Sequence, residues 1–446
     1  MLMKQVQTVV IAVVVVLMML GGCKSSSSAP KASAPKISNR KFTITDYGAV
    51  GDGRTLNTEA IAQAIDACVK HGGGEVVVPP GVFVTGPIEL KSGMALVIEK
   101  DATLRASDTF SDYGTALEPS GDPLTDEFRP MVKPIIGAEN ASNIAIRGGG
   151  TIDGAGAKWW ERVMAMKAAG ASSGKGGVPP GHRPRLILLR DCQRVQIAGI
   201  HIKDSPNFNI ALFKCDDVVC EDLNISAPAK SPNTDGIDPA NCRNVIIRRC
   251  TIDVGDDNVS FKCVRGSRPL ENVLVTDCTF KHGHGASVGS ALGSGIRNIT
   301  VQKTSFDGTT PAIRIKSARD RGAVVENVTY KDITMKDVSA AIYINMYYFD
   351  AAGQKERAMK QVSDTTPIIR NVRIENVTAT NAKSAGEIVG LPEMPVSDIV
   401  LKNVNISAQT GFRIRDARNI ERDNFHVEAK EGEPITIEGP QVAEKN

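Results

Sequence analysis

Nothing constrains this chain more than a short pattern that keeps returning along it. The pattern is an Asn followed by apolar residues at the second, fourth, seventh and ninth positions, as in Asn244-Val-Ile-Ile-Arg-Arg-Cys-Thr-Ile252. It recurs at Asn272–Phe280, Asn298–Phe306, Asn327–Met335, Asn371–Ala379 and Asn419–Val427. Arg194–Ile202, Asp217–Ile225 and Asp398–Ile406 share the apolar positions without the Asn, and a further long member begins at Asn143. From residue 194 onward the starts lie 23, 27, 28, 26, 29, 44, 27 and 21 residues apart. A period this short cannot hold separate domains, so the repeats must stack into a solenoid. Within each repeat, two short apolar alternations meet at a turn, which is the signature of strands. The fixed Leu positions of a leucine-rich repeat and the helical periodicity of ankyrin or TPR repeats are missing. The pattern therefore predicts an all-β parallel β-helix of about ten coils over residues 41–446, with successive coils ~4.8 Å apart.

In-register stacking makes further expectations concrete. The leading Asn side chains should form a ladder of amides at a turn. The two larger gaps, 51 residues after Asn143 and 44 after Asn327, should be loops thrown out from the stack. Thr55–Lys70 has the apolar spacing of a helix and is expected to cap the N-terminal end, which an open solenoid core requires. Cys192, Cys215 and Cys242 each precede a repeat start by two residues, and Cys250 and Cys278 each follow one by six. They read as ladders of small buried side chains, because no His or carboxylate joins them at metal-ligand spacing.

Charge becomes informative once the first forty residues are set aside. The chain has 53 Lys+Arg against 50 Asp+Glu, but residues 1–40 hold five bases and no acid, leaving 48 bases against 50 acids. A near-neutral body is not the basic surface that nucleic acid demands. The first twenty residues have an early Lys4 and an unbroken apolar run, Val9–Leu20, too short to span a membrane. They read as an export signal over residues 1–22. Leu20-Gly-Gly-Cys23 resembles a bacterial lipobox, which implies cleavage before Cys23 and lipid on that residue. Residues 23–40, rich in Ser, Ala, Pro and Lys, read as a tether. The expectation is an exported lipoprotein at a bacterial outer membrane, monomeric and without a cofactor or metal.

Four polar clusters interrupt the apolar repeat: Asn233-Thr-Asp-Gly236, Gly255-Asp-Asp-Asn258, Gly283-His-Gly-Ala-Ser287 and Arg314-Ile-Lys316. Asp235 to Asp256 is 21 residues, Asp256 to His284 is 28 and His284 to Arg314 is 30. Each step is one coil, so these side chains should line up on one face. Like charges one coil apart raise at least one carboxyl pKa. Glycoside hydrolysis needs such a split, with one carboxyl protonated for the leaving oxygen and another ionised to activate water. Arg314 and Lys316 flank Ile315, so both should point outward and hold an anionic ligand. Taken singly, each cluster also has an ordinary reading: GDDN suits a tight turn, His284 a turn histidine, Asn233 a ladder member.

The four motifs in this order resemble the signature of glycoside hydrolase family 28, the polygalacturonases. Gly150-Thr-Ile-Asp-Gly-Ala-Gly-Ala-Lys-Trp-Trp160, Arg183-Pro-Arg-Leu-Ile187 and Phe42–Gly53 support the resemblance, which covers roughly residues 41–430. It implies a right-handed β-helix and inverting hydrolysis of the α-1,4-galacturonosyl linkages of pectin, an anionic polysaccharide. By motif position it implies that Asp256 is the general acid and that Asp235 and Asp257 together activate water. His284 would tune the acid, Arg314 and Lys316 would bind a galacturonate carboxylate, and Asn233 would order the site. An inverting pair further implies carboxyls about 6.5–9.5 Å apart, with the Asp235 and Asp257 anions raising the pKa of Asp256. Trp159 and Trp160 are expected to be structural, His282 a bystander, and one of Tyr343, Tyr347 and Tyr348 to line the cleft.

Three readings compete. A hydrolase of rhamnogalacturonan or xylogalacturonan would share the fold, although Asp235 and His284 match the polygalacturonase pattern. A pectate lyase would use the Asp cluster to hold calcium. A non-enzymatic adhesin or glycan-binding β-helix would bind without turnover. Endo or exo action turns on the inserts between Ile152 and Arg194 and between Met335 and Asn371, and the sequence leaves it open.

Overall fold

The computed structural model describes residues 30–114, 132–169 and 183–439. The export signal and Cys23 lie outside the described residues. Strands of successive coils pair in parallel and form three long stacks. Around the polar clusters, one coil runs Asp216–Glu221, Asn224–Ser226, Ile237–Ala240, and the next runs Arg243–Arg248, Thr251–Val254, Val259–Phe261. They pair Val218 with Val245, Ile225 with Ile252 and Ile237 with Val259. The first stack holds thirteen rungs among the described residues, ten at the repeat starts and three earlier, at Lys41–Thr43, Gly74–Val78 and Met94–Ile98. In these three the leading position is held by Asn39, which is not left-handed, and by Gly73 and Gly93, which are.

The local cause of each turn is legible. All ten repeat starts, from Asn143 (φ 57°) through Arg194 and Asp217 to Asn419 (φ 52°), adopt the left-handed conformation. Asn and Asp tolerate that region better than most side chains. The amides then bond along the stack: Asn272 Nδ2 donates to Asn244 Oδ1 at 3.3 Å, Asn298 to Asn272 at 3.2 Å and Asn327 to Asn298 at 3.0 Å. The apolar residue after each start points inward. Val218, Val245, Val273, Ile299, Val328, Val372, Ile399 and Ile420 form one register column, and all are buried. Each such side chain contributes about 1.5–3 kcal/mol by leaving water.

The cap and the ladders follow the sequence reading. Helix Thr58–Lys70 buries Ile61, Ala64, Ile65 and Cys68 in the same cluster as Ile44, Val76 and Leu90, closing the N-terminal end. The eight cysteines of the described residues are free and buried. The backbone N–H of Cys215 donates to Cys242 Sγ at 3.3 Å, and burial holds the Cys215 thiol well above its usual range. The insert after Asn143 contributes helix Ala157–Ala168, whose Trp159 is buried edge-on against Tyr113 with centroids 5.4 Å apart. Trp160 donates its indole N–H to the Ser205 carbonyl at 3.1 Å. Both tryptophans thus serve structure. The 44-residue gap holds strand Ala340–Asn345 and a short helix, Ala351–Glu356. Among the described residues, no helix is long and apolar enough to cross a membrane.

Candidate active site

The polar clusters converge where the second stack turns into the third. Asp235 sits just before strand Ile237–Ala240, Asp256 and Asp257 lie in the turn before Val259–Phe261, and His284 in the turn before Ala286–Gly289. Arg314 and Lys316 stand on strand Pro311–Lys316, where Ser287 pairs with Arg314. The motif glycines let these turns close on one another. A Cβ on Gly236 would meet the Asn258 carbonyl oxygen at 2.4 Å, and one on Gly283 (φ +62°) would meet that of Asp256 at 2.3 Å. Asn258 completes the tie: its Oδ1 accepts from the Gly285 N–H at 2.8 Å and its Nδ2 donates to the Lys281 carbonyl at 3.1 Å.

One carboxylate oxygen from each of Asp235, Asp256 and Asp257 lies within 4.8 Å of the other two. This corrects the expectation of a wider gap, which asks for about 6.5–9.5 Å. The turns approach so closely because glycines occupy the crossing points. Among the described residues this is the one group of His, Cys, Asp or Glu side chains close enough to share a metal ion. Two of its members already have cationic side-chain partners.

The three carboxyls differ sharply in their surroundings. Asp257 is buried and accepts four bonds: from Arg314 Nη1 at 3.0 Å and Ser287 Oγ at 2.7 Å on Oδ1, and from Lys316 Nζ at 2.9 Å and Ser260 Oγ at 3.0 Å on Oδ2. Burial pushes its carboxyl up, but Lys316 and Arg314, then His284 and Lys262, outweigh burial and hold it far below the usual range. Asp235 is equally buried, and Lys262 Nζ reaches its Oδ2 at 3.1 Å while Oδ1 has no hydrogen-bond partner among the described residues. Burial first, then Asp238 and Asp256 against the opposing Lys262, raise its carboxyl well above the usual range. The upward push expected from stacked acids therefore falls on Asp235. Asp256 is partly exposed, the one carboxyl of the three that solvent reaches directly.

The other expected residues are also at or beside the site. His284 Nε2 lies 3.9 Å from Asp256 Oδ1, while its Nδ1 bonds the Thr310 hydroxyl. Arg314 and Lys316 are nearly buried, each with Asp257 as a protein partner. Of the three tyrosines, Tyr348 meets both cations of the site: its ring centre is 5.3 Å from the Arg314 guanidinium and 5.1 Å from Lys316 Nζ. Tyr343 stands beside Arg314 on the next coil, and Tyr347 is buried under Arg319. His282 is exposed and paired with Asp253 at 2.6 Å, outside the cluster. Asn233 accepts a bond from Arg183 Nη2 at 2.8 Å; Arg183 also donates to the Pro206 and Pro232 carbonyls at 2.8 and 2.7 Å, so it clamps the turn that presents Asp235. Burial lowers Arg183 to about 10 despite Asp235 and Asp256 nearby.

The sequence matches the model of glycosyl hydrolases family 28 over residues 68–429. The chain belongs to that family. It is 30% identical over 404 residues to an endo-polygalacturonase of Pectobacterium parmentieri, covering 88% of this chain and 94% of that one. The hyperthermoactive exopolygalacturonase of Thermotoga maritima superposes with a TM-score of 0.72 at 27% identity, covering 88% of this chain and 94% of that one. The polygalacturonase of Erwinia carotovora ssp. carotovora gives 0.67 at 26% identity, over 95% of this chain and all of that one. As a family 28 member the chain is a glycosidase on a parallel β-helix, in agreement with the motif reading.

Sequence reasoning missed Lys262, Asp238 and Ser260. Lys262 lies 27 residues after Asp235, but its partner across the ladder is Ala240, 22 residues earlier, so it sits on the next coil five positions past the register equivalent of Asp235. Coil spacing leads from Asp235 to Asp257 and not to Lys262, whose long side chain crosses the offset, so no sequence signal marked it.

Proposed function

We propose that this protein hydrolyses the α-1,4-galacturonosyl linkages of polygalacturonate, an anionic pectic polysaccharide, with inversion and by acid/base chemistry from the three aspartates. The observation that supports this most is the division of labour among them. Asp256, reachable from solvent and beside His284, is suited to give its proton to the leaving oxygen. Asp235 and Asp257 lie behind it and orient and deprotonate water. A carboxyl raised by its surroundings, as Asp235 is, becomes the stronger proton acceptor once ionised. Asp257, locked by four donors, supplies a fixed anion.

The close carboxylate spacing is also compatible with a retaining enzyme, in which one carboxylate attacks the sugar. The hydrogen bonds disfavour that reading. Both oxygens of Asp257 are engaged by two donors each, and Asp235 is buried and held by Lys262. Asp257 thus has no unengaged oxygen with which to form a glycosyl ester, and Asp235 lies deeper than the partly exposed Asp256. A calcium-dependent lyase is disfavoured because Lys262, Arg314 and Lys316 already face the carboxylates a calcium ion would need. Arg314, with Tyr348 stacked beside it, is the group best placed to meet a substrate carboxylate.

Incubation with polygalacturonate should release reducing ends, and Asp235→Asn, Asp256→Asn and Asp257→Asn should each remove that activity. A wild-type protein that binds the polymer without turnover would instead support the glycan-binding reading. For the leader, we propose that Cys23 is lipidated and tethers the enzyme to a bacterial outer membrane. Cys23→Ser should then leave the membrane fraction; equal partitioning of variant and wild type would refute the anchor.

A further inference from the structure

Lys262 lies beneath Asp235, one coil further along the third stack. Its Nζ is 3.1 Å from Asp235 Oδ2 and 3.7 Å from Asp238 Oδ2, and 4.2 Å from the centre of the Phe208 ring. All three charged side chains are nearly or wholly buried: 3% of Asp235, none of Asp238 and 5% of Lys262 is exposed. One ammonium is thus shared between two carboxylates that are almost wholly buried. A buried pair of this kind adds little net stability compared with apolar residues of equal volume. Its consequence is electrostatic, and it acts on the carboxyl that the proposed reaction uses to deprotonate water.

We propose that Lys262 and Asp238 are positioning residues that act in opposition on Asp235: Lys262 holds it in place and favours its anion, while Asp238 disfavours that anion. The inference rests on the reading of Asp235 as part of the water-activating pair. The other charged groups facing Asp235 are Asp256 and Asp257 from the following turn and Arg183, bound to the neighbouring Asn233. Asp257 is offset by its own Arg314 and Lys316. Asp238 and Asp256 therefore act together on Asp235 against Lys262, and Asp238 is the one of the two acids that the proposed reaction leaves otherwise unused.

The two partners make predictions of opposite sign. The acidic limb of the kcat/KM profile reports ionisation of the base in the free enzyme, and below it each unit of displacement changes kcat/KM about tenfold. Lys262→Met should move that limb to higher pH, with a loss of about tenfold or more at the pH where wild type is half-maximal. Asp238→Asn should move it to lower pH and raise kcat/KM on the acidic side. Titration of ¹³C-labelled aspartate carboxyls by NMR, assigned through Asp235→Asn, should show the Asp235 resonance moving in the same two directions without substrate. Limbs and resonances that stay in place, or that move the same way in both variants, would overturn the proposal. If Lys262→Met fails to fold, the isosteric Asp238→Asn decides alone. If the wild type hydrolyses no pectic glycan, the proposed function fails, and the NMR titration still decides whether Lys262 and Asp238 control Asp235.

Discussion

Lys316→Met removes one of the two cations that hold Asp257, and its effect can be worked from the contacts. The lysine Nζ lies 2.9 Å from Oδ2; without it the carboxylate keeps Arg314 at 3.0 Å and the hydroxyls of Ser287 and Ser260 at 2.7 and 3.0 Å. A hydrogen bond to a charged group is worth about 1.5–3 kcal/mol, and truncating one partner of a buried pair costs about 3–5 kcal/mol when the other charge is left alone. Arg314 remains, so a stability loss of roughly 2–3 kcal/mol is expected. If the same interaction keeps Asp257 ionised and aligned in the transition state, kcat falls roughly 30- to 150-fold. The pH dependence has a definite sign. Asp257 has a depressed folded pKa, so its contribution is full above the unfolded-chain value of about 3.9 and is lost as pH falls through the folded value. The variant's folded carboxyl titrates higher than wild type's. The lead of wild type over variant should therefore hold through neutral pH and narrow in acid. Urea midpoints at several pH values, with kcat and KM on polygalacturonate, test this. A raised KM with unchanged kcat, or a lead that stays constant into acid, would refute the counter-ion role for Lys316.

Asp256→Asn should lower kcat roughly 10²–10⁴-fold, the usual share of a general acid, while polygalacturonate binding by calorimetry stays near wild type. Arg314→Ala should raise KM strongly as well as lower kcat, because Arg314 meets both Asp257 and the Tyr348 ring; a change in kcat alone would assign it to Asp257 only. Asn298→Ala removes one donor to Asn272, one acceptor for Asn327 and a residue tolerant of φ 58°. It should cost about 1–2 kcal/mol by denaturant unfolding, with kcat unchanged.

The stacked coils were legible because one residue type marks the same backbone event in each: the Asn starts share a left-handed φ and bond along the ladder. The three earliest rungs carry no such mark: Gly73 and Gly93 replace the Asn on two of them, and on the first Asn39 is followed by Arg40 where the pattern has an apolar residue. In the site, coil spacing brought Asp235, Asp256, Asp257, His284, Arg314 and Lys316 together as expected. Two things escaped it. Spacing along the chain gives the coil but not the depth of a side chain, so burial of Arg314 and Lys316 against Asp257 could not be read. Asp238 stands three residues past Asp235 and Lys262 bridges Ala240 on the next coil, where a single charge carries no motif, and only the fold brings Lys262 against both carboxylates. The carboxylate spacing depended on how closely Gly236 and Gly283 allow neighbouring turns to pack, a tertiary distance that no residue spacing encodes.

The central claim is that three clustered aspartates hydrolyse an α-galacturonosyl linkage by direct attack of water. Proton NMR of the first product formed from polygalacturonate, recorded before mutarotation, tests it most directly. Direct attack of water on an α-linkage gives a new reducing end that appears first as the β-anomer. An α-anomer would mean that a carboxylate attacks the sugar, and an unsaturated product would mean elimination; either would contradict it.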